Sequence, residues 1–380
     1  MSEPTASTNY YLLTGEDLRV FLNQEAITVT VLRQILRGRG VFCPSNDKKD
    51  LLPFLLLSFL TPEEFETLLD AVRSKEESHK VRSHTFSVPF EGKTLEEVMP
   101  VDLPIAELAA DPLGNYEVVG VPMITAEKDG GKPSCVVRLK LRRTTIGSDL
   151  TANSRHFESQ VRWTLDVDAK RLLVTTIHTS RETEQANQSV VRVINKHLRE
   201  QQFIEPGSEF RLCFKSFTNE QRIVFLMQFS GLDEWNGLSF ERLKGLALKL
   251  DETKTPPDQE RLNWMRKKVS RVNLNGDALQ DTFFVTDTTC RPYIICWRME
   301  MVFKFTTADH SGKLEAVFEF ADYANGSLGT AEFQIAIPSL SISGKPKNHP
   351  DCRLLADKFV LKLNSMKQQA HDKAVAIGAQ

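Results

Sequence analysis

Between Gly15 and about Glu77, apolar residues return every three or four positions, the spacing that lines one face of an α-helix. Leu18, Phe21 and Leu22 share a face, as do Leu32, Ile35 and Leu36, then Leu51, Leu52 and Leu55, then Phe65, Leu68, Leu69 and Val72. The breaks between these stripes carry the residues that stop and start helices. Arg39-Gly40 closes the second stripe, because glycine takes the left-handed conformation of a helix end without a Cβ penalty. A polar run, Cys43 to Asp47, separates it from a helix opening at Lys48. Thr61-Pro62-Glu63-Glu64 is a helix start: a threonine cap, a proline whose missing N–H costs nothing in the first turn, and acids on the positive end of the dipole. Ser74 to Ser83 is charged and lacks an apolar period, so it reads as a linker.

Beyond that point the period shortens to two. Val137, Leu139 and Leu141 alternate with Arg138, Lys140 and Arg142, and Val161, Trp163, Leu165 and Val167 alternate with Arg162, Thr164 and Asp166. A turn at Asp168-Ala169-Lys170 leads back into LLVTTIHT, which predicts a hairpin. A helix is expected near Gln188 to Gln201, and Pro206-Gly207 marks a boundary. FRLCFKSF and RIVFLMQF predict a second hairpin around Thr218-Asn219, and Asp258 can cap a helix facing inward through Leu262, Met265, Val269 and Val272. Trp297, Met299, Met301, Phe303 and Phe305 alternate with Arg298, Glu300 and Lys304 before a turn at Asp309 to Gly312 and the segment LEAVFEF. Half-buried antiparallel strands alternate in this way. A last helix is expected from Asp351, with Leu355, Phe359, Leu363 and Met366 inside. The expected class is α+β with antiparallel sheets, in three parts: a helical module at 1–80, an α+β domain at 81–205, and an α+β domain with a C-terminal helix at 206–380.

Composition narrows the function little. The 380 residues are 41% hydrophobic and 26% charged, close to the average globular protein. A net charge of −2 excludes a wholly basic nucleic-acid coat, so attraction to phosphate must be local. It is local: Arg33, Arg37, Arg39, Lys48 and Lys49 stand against Asp47 and Asp50, whereas the following helix is acidic. The six cysteines are scattered without a CxxC pair, which suits a reducing compartment. The N-terminal stretch lacks a basic start followed by an apolar run, so no signal peptide is expected. The longest apolar run, LLPFLLLSFL, falls well short of the roughly 20 residues a membrane span needs. The expectation is a cytoplasmic protein with no membrane contact.

Helix, extended loop, helix between Thr28 and Leu60 resembles the SAP and helix-extension-helix family of small DNA-binding modules. Leu32, Ile35, Leu36, Gly40, Val41, Lys48, Leu51 and Leu55 occupy the places of that pattern, although the loop is about one residue longer and Pro53 sits early in the second helix. The resemblance implies phosphate contacts from Arg33, Arg37, Arg39, Lys48 and Lys49, aided by the N–H groups opening the second helix. Such contacts hold a protein on duplex DNA and read no sequence. A small helical interaction domain with solvated arginines accounts for the same residues. The segments GVF, SNDKKD and TPEEFE are also similar to the N-terminal region of non-catalytic subunits of bacterial two-gene anti-phage systems. There the partner subunit carries a PD-(D/E)xK-like nuclease. That resemblance implies a protein partner, with self-association through sheet edges as a further expectation.

Catalytic signatures are sparse. No P-loop, GxGxxG or GxSxG is present. Glu252-x-Lys254 with Asp233 upstream has nuclease-like spacing but runs into Thr255-Pro256-Pro257, a surface loop rather than a strand. His349 and Cys352 are spaced like metal ligands without the second pair a structural zinc needs. His156 and His178 fall in or beside one hairpin without a nucleophile to serve. Further basic faces, Arg138, Lys140 and Arg142 on a strand and Arg261, Arg266, Lys267, Lys268 and Arg271 on a helix, suit phosphate or plain solvent equally. No catalytic residue, metal or cofactor is therefore expected, and the leading reading is a non-enzymatic DNA-binding or scaffolding subunit that recruits a nuclease partner. The alternatives are a divergent metal-dependent nuclease and a ligand-sensing or structural α+β protein.

Overall fold

The computed structural model describes residues 13–377 except 25–26, 46, 77, 90–91, 101, 144–155, 232–236, 255–261, 263–264, 266–270, 322, 326–328 and 347–348. Four helices open the chain: α1 (Gly15–Asn23), α2 (Val29–Gly38), α3 (Lys48–Leu56) and α4 (Pro62–Glu76). Their caps are those the sequence predicts. Thr28 accepts from the Val31 N–H, and Asp47 accepts from the Lys49 N–H at 3.0 Å. Thr61 and Glu64 exchange side-chain and backbone bonds as a capping box. At the end of α2, Val41 N–H reaches Leu36 O at 2.8 Å and Gly40 N–H reaches Arg37 O at 2.9 Å, with Gly40 at φ +76°. These two bonds are the Schellman closure that the glycine makes possible. The predicted stripes Leu18–Leu22, Leu32–Leu36, Leu51–Leu55 and Phe65–Val72 meet in one core that belongs to this module alone.

The rest is built on a 12-stranded sheet in the order β2-β4-β5-β6-β1-β12-β11-β10-β8-β9, with β3 beside β4 and β7 beside β1. The strands are β1 (His79–Ser87), β2 (Tyr116–Val118), β3 (Ile124–Asp129), β4 (Lys132–Arg143), β5 (His156–Asp166) and β6 (Arg171–His178), then β7 (Phe210–Arg211), β8 (Leu238–Leu250), β9 (Val272–Asn275), β10 (Ile294–Thr306), β11 (Ser311–Phe320) and β12 (Phe333–Ile342). Neighbours pair antiparallel throughout the described ladder. The fold is thus α+β, N-terminal helices followed by a large antiparallel sheet carrying further helices. Two short helices, α5 (Leu95–Val98) and α6 (Ile105–Ala109), and the long α7 (Arg181–Glu200) cover one face of the β4–β6 half around the fully buried Trp163. Its indole N–H donates to Asn195 Oδ1 at 3.0 Å, satisfying the one polar atom the ring brings inside. The β8–β12 half has its own core, filled by Phe303, Phe305, Phe318 and Phe320 from the sheet and by α8 (Asn219–Gln228) and the C-terminal helices Pro350–Ser365 and Lys367–Ile377. No helix among the described residues is long and apolar enough to cross a membrane.

Three expectations are corrected. Ser74–Ser83 is not a linker: α4 runs to Glu76, and His79 opens β1, a strand in the middle of the sheet. Its alternation is polar because it is flanked by hydrogen-bonding side chains on both faces, which hides a buried strand from a reading of hydrophobicity. The hairpin at Thr218-Asn219 is a helix. Thr218 and Gln221 form a capping box, and Ile223, Val224, Phe225 and Leu226 are buried in one apolar run whose period does not distinguish helix from strand. The long helix begins at Arg181 rather than Gln188, started by a Ser180–Thr183 capping box. The helix expected at 258–272 lies largely outside the described residues; Leu262 and Met265 are buried as expected, while Val272 begins β9.

Candidate functional site

The residues expected to hold DNA divide into two groups once the module is folded. Arg39 lies at the end of α2, facing the start of α4, and its guanidinium is almost fully committed. Nε donates to Glu64 Oε1 at 2.6 Å, Nη2 to the other Glu64 oxygen and to Phe59 O at 2.9 Å, and Nη1 to Ser58 Oγ. The Arg39 hydrogen bond is the main reason the Glu64 carboxyl is held below its ordinary pKa. This two-pronged pair fastens α2 to α4 and draws the segment after α3 against them. Lys48 turns its ammonium back to Gln24 O at 2.8 Å, the carbonyl just beyond α1, where a cation also complements the helix dipole. Arg33 Nη2 donates to Ser45 O at 2.6 Å and braces the loop between α2 and α3. Arg37 and Lys49 are exposed, and their charged ends have no hydrogen-bond or ion-pair partner among the described residues. Three of the five cations thus hold the module together, and two face solvent.

The same module carries a feature that the motif reading passed over. Phe42 is 79% exposed, Phe54 48%, Leu57 88% and Phe59 76%. The run LLPFLLLSFL explains it: one face of α3 buries Leu51, Leu52 and Leu55, and the run continues beyond the charged first turn with more apolar residues than that face can cover. Phe54 and Leu57 share the outer side at helical spacing. Arg39 holds the Phe59 carbonyl, and Phe42 follows Arg39 by three residues, so Phe42 and Phe59 are tied to the same end of α2. The sequence signal was available in the length of the apolar run, which exceeds what a two-helix seam can bury.

Elsewhere the sequence candidates stay apart. Arg138, Lys140 and Arg142 do share an exposed face of β4, with Arg138 paired to Glu127 and Arg142 to Glu117. Arg271 donates to Ala324 O at 3.0 Å, while Arg261, Arg266, Lys267 and Lys268 lie outside the described residues. Asp233 is also outside them, and Lys254 donates to Pro292 O at 3.0 Å from a turn. His349 caps the helix Pro350–Ser365 through Nδ1, and Cys352 is buried beside it. His156 is exposed whereas His178 is buried. No group of three or more His, Cys, Asp or Glu residues placed to hold a metal ion occurs among the described residues.

Residues 16–78 match the family model described as the GAPS4b protein N-terminal domain, a defence-associated family. The match coincides with the four-helix module and stops at the first strand. No curated protein matches the chain. Among solved structures, the chain is similar to the crystal structure of DynU16, a protein of the dynemicin biosynthetic locus, at 13% identity over 77% of this chain and 98% of that one, with a TM-score of 0.15. At that score the likeness bears on neither fold nor function.

Proposed function

We propose that this chain is a non-catalytic, cytoplasmic subunit of a bacterial anti-phage defence complex, and that its N-terminal helical module docks a second protein, a nuclease subunit. One observation carries the reading: within the module that matches the defence family, Phe42, Phe54, Leu57 and Phe59 stand in solvent. Large apolar side chains grouped on one small module mark a protein contact, and buried aromatic anchors supply most of the energy of such contacts. The test is co-purification of the full chain with the product of the neighbouring gene. Leu57→Asp combined with Phe59→Asp should weaken association by about 30-fold or more, the scale of losing one hot spot of about 2 kcal/mol. Undiminished association of that variant would end the proposal.

A second reading, duplex DNA contact by the same module, is favoured by one fact. Arg37 and Lys49 are exposed and uncommitted, and each phosphate they neutralise would release counterions. Arg33, Arg39 and Lys48 would then act by positioning the module. Under this reading Arg37→Ala with Lys49→Ala weakens duplex binding equally for all sequences and flattens its salt dependence, while protein association is untouched.

A further inference from the structure

The half of the sheet backed by α7 has a second face, and its residues follow from register. Lys140 lies opposite Glu158, Arg138 opposite Gln160, Gln160 opposite Ile177, and Ile177 opposite Val81. Cross-strand partners share a face, and alternation along β1 adds His79 to it. The residues between them, such as Ser159 and Trp163, point to the α7 side, where Asn187 and Asn195 meet them. The helix Pro350–Ser365 crosses the exposed face and brings Arg353 and Asp357 over it. Between helix and sheet remains a cavity of about 430 Å³, closed on a third side by Val119, Val121 and Pro122 from the segment linking β2 to β3. That volume lies within the roughly 300–1,000 Å³ range of small-molecule sites.

Most of the charged side chains lining this cavity are already paired. Both carboxylates are engaged: Glu158 accepts from Arg353 at 2.7 Å, and Asp357 accepts from His79 Nδ1. Arg138 is paired with Glu127. Among the described residues the Lys140 ammonium and His79 Nε2, on a side chain that is only 9% exposed, have no partner. The Gln160 amide, whose oxygen accepts from Arg162 once the amide is turned, keeps its N–H groups for a ligand. Lys140 can only donate. His79 Nε2 accepts when the ring is neutral and donates when it is charged, because Asp357 fixes the other nitrogen as the N–H. A carboxylate would serve the lysine but offers no proton to a neutral imidazole. A phosphate monoester, whose second pKa is about 6, offers both an ionised oxygen and a P–OH near neutral pH. Val121, 85% exposed at the rim, and its neighbours Val119 and Pro122 provide an apolar wall for the rest of such a molecule.

We propose that this cavity binds a small organic phosphate, with the phosphoryl group between Lys140 and His79 and the organic part against Val119, Val121 and Pro122. Isothermal titration calorimetry of the full chain, with AMP as probe and inorganic phosphate as comparator, tests it. AMP should bind, phosphate should bind more weakly, and Lys140→Ala should weaken AMP by about tenfold or more. Arg142→Ala, on the same strand face but outside the cavity lining, should leave the affinity unchanged. Lys140 is exposed, so its variant keeps the test open even where His79→Gln disturbs β1. A flat isotherm at millimolar AMP, or Lys140→Ala binding as tightly as the native chain, overturns the site. Equal affinity for AMP and phosphate overturns the role of the apolar wall.

Discussion

Two histidines, His84 within β1 and His178 at the end of β6, pull the stability of this protein in opposite directions with pH. His84 Nε2 lies 3.2 Å from Glu332 and Nδ1 3.3 Å from Glu209, and Arg211 bridges both acids. Burial lowers the His84 pKa, but the hydrogen bonds its ring donates to the two carboxylates overcome it and leave the group above its ordinary 6.5. Its contribution is therefore complete below pH 6.5 and is lost as pH rises through the raised value. His178 is pushed down to about 3, chiefly by burial and then by the charges of Arg82 and Lys80. Folding keeps it neutral, so the unfolded chain takes up a proton between pH 6.5 and 3 that the folded one refuses, and stability falls as pH drops through that range. Glu332, held at about 2 by His84 and Arg211 against the effect of burial, adds its own loss only below about 4.5. Buried Lys367, lowered from 10.5 to about 8 by desolvation, works the other way. Above pH 8 the folded chain has released a proton that the unfolded one still holds, so its penalty is relieved and stability gains as pH rises. The expected result is a stability maximum near pH 6.5, with flanks owned by different residues. In thermal melts at pH 5, 6.5 and 8, Glu332→Gln should flatten the alkaline flank and His178→Gln the acid one, each by on the order of 1–3 kcal/mol. A maximum unmoved and unflattened in both variants would show that other groups control it.

At the level of elements, the helices of the N-terminal module were legible because each stripe, cap and closing glycine acts within a few residues of sequence. What the sequence withheld was where the charges go. Arg37 and Arg39 look equivalent along the chain, yet only Arg39 meets Glu64, a residue on another helix that cannot be foreseen from spacing. Arg39→Ala should accordingly destabilise the module by about 2–3 kcal/mol, the cost of losing charge-assisted bonds and leaving Glu64 alone, and Arg37→Ala should be nearly neutral. Hydrogen exchange in α2 and α4 would resolve the two; equal protection in both variants would mean that the pair adds nothing. The β10–β11 hairpin was legible for the opposite reason, a long strict alternation of Trp297 to Phe305 that buries one face. α8 and β1 were misread because a continuous apolar run and a polar buried strand both lack a telling period. The cavity under Pro350–Ser365 was invisible, since its residues come from six separated stretches that only the fold brings together.

At the scale of the whole molecule, β1 joins the two halves. On one side it pairs with β6 through residues 80–87, and on the other His79, Lys80 and Val81 pair with Ile337, Ala336 and Ile335 of β12. Lys367 donates to Ser83 O and Oγ at 2.6 Å, fastening a C-terminal helix to the same strand. The helical module has its own core, so a chain beginning at Ser78 should fold with a cooperative melt and lose the partner contact proposed above. A chain beginning at His84 removes the β12 ladder and Ser83 together and should be insoluble or molten. Circular dichroism and gel filtration of the two would decide it, and folding of the shorter chain would show that the seam is dispensable. During synthesis the same seam imposes a waiting time. β1 leaves the ribosome early, but its β12 partner is made some 250 residues later, about 10–50 s at ordinary elongation rates. Over that interval the first half of the sheet exists with one edge open, and an open edge is a template for any strand that arrives first. The polar, hydrogen-bonding side chains that concealed β1 from a hydrophobicity reading, Lys80, Arg82 and His84 among them, are also what keeps that edge from recruiting the wrong neighbour while the protein waits for its own last strand.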